Sequence, residues 1–139
     1  MQRLLLQEDE DGRRKEHFWV VGLSVDSRIL YIELISLGGI SAAVIDPIEV
    51  YRLAIIEKSH CIMLAHNHPD SIDVQPSERD KALTNKLVRG GKLLNIYILD
   101  HLIISEHDYY SFCEDGLIEY EEDQRASWGS WMNLKNGIT

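Results

Sequence analysis

The twenty residues from Cys61 to Asp80 read CIMLAHNHPDSIDVQPSERD. The first five are wholly apolar and bounded by polar residues, the pattern of a short strand buried on both faces. Residues 69–76, rich in Asp, Ser and Pro, form a loop. Ser77 then opens a helix as its N-cap, with Asp80 at the third helical position. That helix is expected to run to Gly90-Gly91, where the glycine pair stops it, with Leu83 and Leu87 along one side. A doubly buried strand that leads into a helix belongs to a sheet covered by helices.

Upstream, HFWVVGLSV (residues 17–25) and RILYIELIS (28–36) are aromatic and β-branched runs joined by Asp26-Ser27, and they predict a β-hairpin. Asp46-Pro47-Ile48-Glu49 supplies an N-cap acid, a first-position Pro and a third-position Glu. The helix it starts is expected to reach about Lys58, with Ile48, Tyr51 and Ile55 on one face. Downstream, Leu93 to Leu99 and Leu102 to Ser105 read as strands flanking Asp100-His101, with one more at Tyr109 to Phe112 before the Asp115-Gly116 turn. The order β-β-α-β-α-β-β implies an α/β sandwich of mixed sheet and flanking helices.

The chain has 139 residues, enough for one domain, and a globular composition of 45% hydrophobic and 27% charged residues. Its net charge of −9 opposes direct binding to nucleic acid. From Glu8 to Asp11 and from Glu114 to Asp123, ten acids stand with no base, while Gly12 to Cys113 holds eleven bases and thirteen acids. The acidity thus belongs to the ends. Cys61 and Cys113 form no CxxC pair and suit reduced thiols in a cytoplasm. No run of 18 apolar residues occurs, and Leu4-Leu5-Leu6 is too short for a signal-peptide core, so a cytoplasmic chain with no membrane role is expected.

His66 and His68, two apart at the end of a strand, point to the same face, and Asn67 points away. Asp80 lies twelve residues beyond His68 on the first turn of the next helix. If the loop folds back, the three form a His-His-Asp set with one position open, the arrangement of catalytic rather than structural zinc. Zinc would lower the pKa of a water toward ~7 and polarise a carbonyl, the chemistry of metal-assisted amide hydrolysis. Glu16 and Glu33 are both candidates for the proton carrier, and spacing leaves them open. Ser77 could offer its hydroxyl to a developing oxyanion.

Bland readings stand beside these. Ser77 to Asp80 is also a plain helix cap, and a pair of histidines also occurs in ordinary loops. His101 beside Asp100 reads as a satisfied structural histidine, with a hydrogen-bonded pair or a group behind the site as alternatives. His17, His60 and His107 read as structural. Cys61 reads as a small buried hydrophobe, Cys113 as an incidental thiol, and Trp19 as core.

His66-Asn67-His68-Pro69 followed by Pro76-Ser77 and Asp80 resembles the JAB/JAMM (MPN) metalloprotease motif, an upstream Glu with HxHP and a later SxxD. Glu16-His17-Phe18-Trp19, Glu33-Leu34-Ile35-Ser36, Asp46-Pro47, Gly91-Lys92-Leu93-Leu94 and Asp100-His101-Leu102-Ile103 resemble its bacterial RadC-like branch. The resemblance spans residues 14–118, leaving 1–13 as a polar leader and 119–139 as an acidic tail whose Trp128 and Trp131 could dock as an extra element. It implies a cytidine-deaminase-like α-β-α sandwich with a mixed sheet. It further implies Zn2+ on His66, His68 and Asp80, Glu16 as general acid/base, Ser77 at the oxyanion, and a peptide or isopeptide bond in a peptide or protein substrate. Residues 69–79 put eleven residues between His68 and Asp80 where the family usually has ten, so the extra one must bulge outward. That departure motivates an alternative, a scaffold or binding module of the same fold with weak catalysis. A third reading is an accessory of DNA repair or mobile elements, after the family's label. RadC-like proteins commonly carry a helix-hairpin-helix region ahead of this domain; the chain begins too late to include one, so a DNA-associated role from that region is not expected.

Overall fold

A computed structural model describes residues 3, 6–7, 10–38, 44–69, 73–121 and 124. A short helix, α1 (Glu10–Arg13), precedes strands β1 (His17–Leu23) and β2 (Ile29–Leu37), which form the expected hairpin. Helix α2 (Pro47–Ile56), strand β3 (Cys61–Asn67), helix α3 (Glu78–Leu94) and strands β4 (Tyr97–Ile104) and β5 (Tyr109–Ser111) follow. The five strands lie in the order β2-β1-β3-β4-β5. β3 is central, antiparallel to β1 and parallel to β4, so the sheet is mixed and the fold is α/β as expected.

Alternation along the strands divides the core in two. Phe18, Val20, Ile62, Leu64, Ile98 and Ile103 face the helices, where Val50, Tyr51 and Ala54 of α2 and Leu83 and Leu87 of α3 meet them. Trp19, Val21, Leu23, Met63, Ala65, Leu99 and Leu102 form a second cluster on the opposite face. Every residue of β3 is buried, which explains its unbroken apolar run.

Three expectations about elements are corrected. The face of α2 that packs inward is Val50, Tyr51 and Ala54; Tyr51 is buried as expected, but Ile48 and Ile55 are exposed. The α3 helix runs through Gly90-Gly91 to Leu94 and is stopped by Asn95 in the left-handed conformation. Gly91 is a close-approach residue instead, because a Cβ there would press into the Ile96 carbonyl and the Tyr51 hydroxyl. Third, residues 97–104 form one strand that contains Asp100 and His101, both fully buried, while Leu93 and Leu94 belong to α3.

The single strand β4 carries an irregularity. Ile62 of β3 faces Ile98, but Met63 faces Asp100, so Leu99 is left out of the pairing. Its carbonyl instead accepts a hydrogen bond from the hydroxyl of Tyr120. The fully buried Asp100 carboxylate accepts bonds from its neighbour's amide, His101 N–H (2.7 Å), from Cys113 N–H (2.9 Å) and from the Ser111 hydroxyl (2.7 Å). These bonds tie β5 and the turn after it to β4. Trp128, Trp131 and residues 1, 2, 4, 5, 8 and 9 of the predicted leader lie outside the described residues.

Candidate metal centre

The histidines of the HxH stretch sit where β3 leaves the sheet, opposite the first turn of α3, at the carboxyl end of a parallel strand where open α/β sheets place their ligand sites. His66 is 1% exposed and His68 partly so. Their Nε2 atoms are 3.2 Å apart. Asp80 closes the triangle, with Oδ1 3.3 Å from His66 Nε2 and Oδ2 3.2 Å from His68 Nε2. Ligand bonds of 2.0–2.1 Å in a tetrahedron imply ligand-to-ligand distances of about 3.4 Å. The donor set and its spacing therefore fit a small divalent ion, and these residues could hold one.

Local structure explains why the three atoms converge. The Ser77 side chain accepts from Asp80 N–H (3.1 Å), and Ser77 N–H donates to Asp80 Oδ2 (2.8 Å). The helix cap and the aimed carboxylate are thus one feature, and the two readings of Ser77 to Asp80 coincide. The Ser77 oxygen accepts in that bond, which leaves its own proton to donate elsewhere. Residues 70–72 of the longer segment between His68 and Asp80 lie outside the described residues. The described part resumes at Asp73, whose carbonyl is 3.2 Å from His68 Nδ1, so the longer segment still returns to the histidine.

Burial pushes the His66 imidazole below its ordinary pKa despite its contact with Asp80. The Asp80 carboxylate hydrogen-bonded to His68 raises that imidazole instead. Burial alone would raise Asp80, but the His66 and His68 rings against its oxygens, with the Ser77 amide, hold it well below the usual carboxylate range.

Sheet register separates the two upstream acids. Phe18 of β1 faces His66 on the antiparallel β3, and the same register continued past the strand ends brings Glu16, just before β1, toward His68. The negative charge of Glu16 acts on both histidines. Glu33 faces Val20 one strand further out and pairs with Arg52 at 3.3 Å, away from the cluster. Asn67, pointing away from the histidines, grips the chain on both sides of Glu16. Its Oδ1 accepts from His17 N–H (2.6 Å) and its Nδ2 donates to the Lys15 carbonyl (3.0 Å).

Two side chains near the site, Asn67 and Thr84, escape the sequence reading, whereas His101 stands in it as a group behind the site beside the structural reading. The ring of His101 does not pair with Asp100; it lies 2.7 Å from His66 Nδ1 through Nε2 and 2.6 Å from Thr84 Oγ1 through Nδ1. The plain structural reading of His101 is corrected accordingly. Its signal was a polar pair inside an otherwise apolar strand. His17 stacks on Trp19 with centroids 4.9 Å apart, and Trp19 and Cys61 are core.

A family model described as the RadC-like JAB domain matches residues 1–117. A UPF0758 protein of Chlorobium chlorochromatii is 44% identical over 104 residues, which is 75% of this chain and 46% of that protein. A UPF0758 protein of Methanococcoides burtonii is 43% identical over 105 residues (76% and 45%), and one of Methanosarcina mazei 40% identical over 107 residues (77% and 46%). The chain spans about half the length of these relatives, and their names state no activity.

Proposed function

The chain belongs to the RadC-like JAB domain family, and from that premise we propose that it is a zinc-dependent hydrolase of peptide or isopeptide bonds. The observation that carries the reading is the convergence of His66, His68 and Asp80 with the Glu16 charge beside them. Zinc held by those three residues supplies a Lewis acid that polarises a carbonyl and makes water acidic near neutral pH. Glu16 takes the proton of the attacking water and returns it to the leaving amine. Ser77 donates its hydroxyl proton to the oxygen of the scissile carbonyl as charge develops there. Asn67, by fixing the backbone at Lys15 and His17, holds Glu16 in reach of that water.

The substrate is a peptide or protein, and the net charge of −9 speaks against direct contact with nucleic acid, including in any association with DNA repair or mobile elements. Cys61 and Cys113 are buried and form no disulfide, which supports a reducing compartment such as the cytoplasm. Among the described residues no helix is long and apolar enough to cross a membrane.

Elemental mass spectrometry on the chain and on a His66→Ala/His68→Ala variant, followed by cleavage assays on peptide and isopeptide libraries, tests the reading. One zinc per chain, none in the variant, and cleavage abolished by Glu16→Gln is the expected result. Zinc binding without cleavage of any library would overturn the hydrolase and leave the scaffold, the reading that the longer segment after His68 favours.

A further inference from the structure

The bonds behind His66 form a chain whose direction is fixed at its far end. Thr84 Oγ1 lies 2.8 Å from the Asp80 carbonyl, one helical turn earlier, and 2.6 Å from His101 Nδ1. A carbonyl only accepts, so the single hydroxyl proton of Thr84 is committed to Asp80. The oxygen of Thr84 must then accept from His101 Nδ1–H. In the reverse arrangement, two oxygens would face each other at 2.8 Å, buried, with no proton between them.

His101 is fully buried between the rings of Phe18 and Phe112, and among the described residues no carboxylate is hydrogen-bonded to its ring. A neutral ring with its proton on Nδ1 presents a lone pair at Nε2. That lone pair, 2.7 Å from His66 Nδ1, accepts the proton carried there. His66 Nε2 is consequently bare although it faces Asp80 Oδ1 at 3.3 Å, so the relay of 2.6–2.8 Å bonds must outcompete that carboxylate for the single ring proton.

We propose that Thr84 and His101 are positioning residues that lock His66 in its Nδ1–H tautomer, so that the Asp80 main chain presets the ligand lone pair of a neighbouring ligand. A metal-binding histidine needs this second partner, and the usual one is a carboxylate or a carbonyl. Here a histidine and a threonine relay the carbonyl of the third ligand. The irregular pairing in β4 supports this role. Ile98 and His101 stand on the same helix-facing side although three residues apart, where regular alternation would oppose them. The leftover residue, Leu99, thus aims His101 at His66.

The consequence for metal rests on the proposed metal site, whereas the tautomer does not, and the test separates the two. Long-range proton–nitrogen NMR on the metal-free, 15N-labelled chain reads each ring directly. We expect protonated Nδ1 and bare Nε2 on both His66 and His101. Thr84→Val, which keeps the shape and removes the hydroxyl, should mix the tautomers and weaken zinc, measured against a chromophoric chelator, by about 10–100-fold. Thr84→Ser should restore both. A protonated Nε2 on His66 in the wild type overturns the proposal, as does a Thr84→Val chain with unchanged tautomer and affinity. Should Thr84→Val fail to fold, the wild-type spectrum and Thr84→Ser decide. A wild-type chain with the expected tautomers and no affinity for zinc overturns the metal site and upholds the relay.

Discussion

Asn67 occupies the position between the two candidate ligands, with its side chain turned to the main chain beside Glu16. Its two bonds to Lys15 and His17 are partly or fully buried, and Asn67→Ala leaves the buried His17 N–H unsatisfied while the Lys15 carbonyl keeps the His17 ring at 2.8 Å. The expected cost is about 1–3 kcal/mol in urea unfolding. Zinc stoichiometry should persist and any cleavage should fall, because the residue released is Glu16. An unchanged midpoint would show that water replaces both bonds. Cys61 provides a second check at this scale. Burial pushes its thiol from 9.0 up to about 12, with a bond from Tyr97 opposing. A raised pKa removes thiolate, so at pH 8 its alkylation by iodoacetamide should be about a thousandfold slower than in urea. Peptide mapping by mass spectrometry reads the difference, and equal rates would mean that the strand end opens readily.

Elements differ in how far their own residues determine them. The cap of α2 is local: Asp46 accepts from Ile48 N–H at 2.9 Å, and Pro47 follows, so both were readable in the sequence. The cap of α3 was readable for the same reason, and with it the ligand Asp80. Gly90-Gly91 was misread as a stop because glycine's weak helix propensity is a local signal, while the need for Gly91 arises from Ile96 and Tyr51, one of them on another helix. Gly91→Ala should therefore lower stability by about 1–3 kcal/mol, against the usual gain from Gly to Ala inside a helix. Gly90→Ala, whose Cβ would sit at an ordinary 3.6 Å from Tyr51, serves as the control and should be neutral or stabilising. Equal effects in chemical denaturation would refute the close approach. His101 was obscured for a related reason. Its direction depends on the register of β4 against β3, which no local pattern encodes.

Across the whole molecule, the candidate ligand set joins the first turn of α3 to the end of β3, and the sheet adds His101 from β4 and brings up Glu16, the residue before β1. An ion that binds only the folded chain stabilises it by RT ln(1 + [L]/Kd), about 2.7 kcal/mol at a hundredfold excess over Kd. Zinc should accordingly raise the melting temperature by several degrees for a chain of this size. EDTA should reverse the rise, and His66→Ala should abolish it; a rise that survives His66→Ala places the ion elsewhere. One property of this assembly bears on the life of the chain in the cell. All three ligands fall between residues 66 and 80, a single strand-to-helix turn, whereas β4 begins at Tyr97. During synthesis that turn leaves the ribosome, behind an already emerged β1, while β4 is still inside the exit tunnel. Closing so short a loop costs little chain entropy, so an ion can staple β3 to α3 while the sheet is still incomplete. If the proposed site takes its ion at that stage, metal supply during translation bears on how much newly made chain escapes misfolding, and a cell starved of the ion loses yield before any activity is at issue.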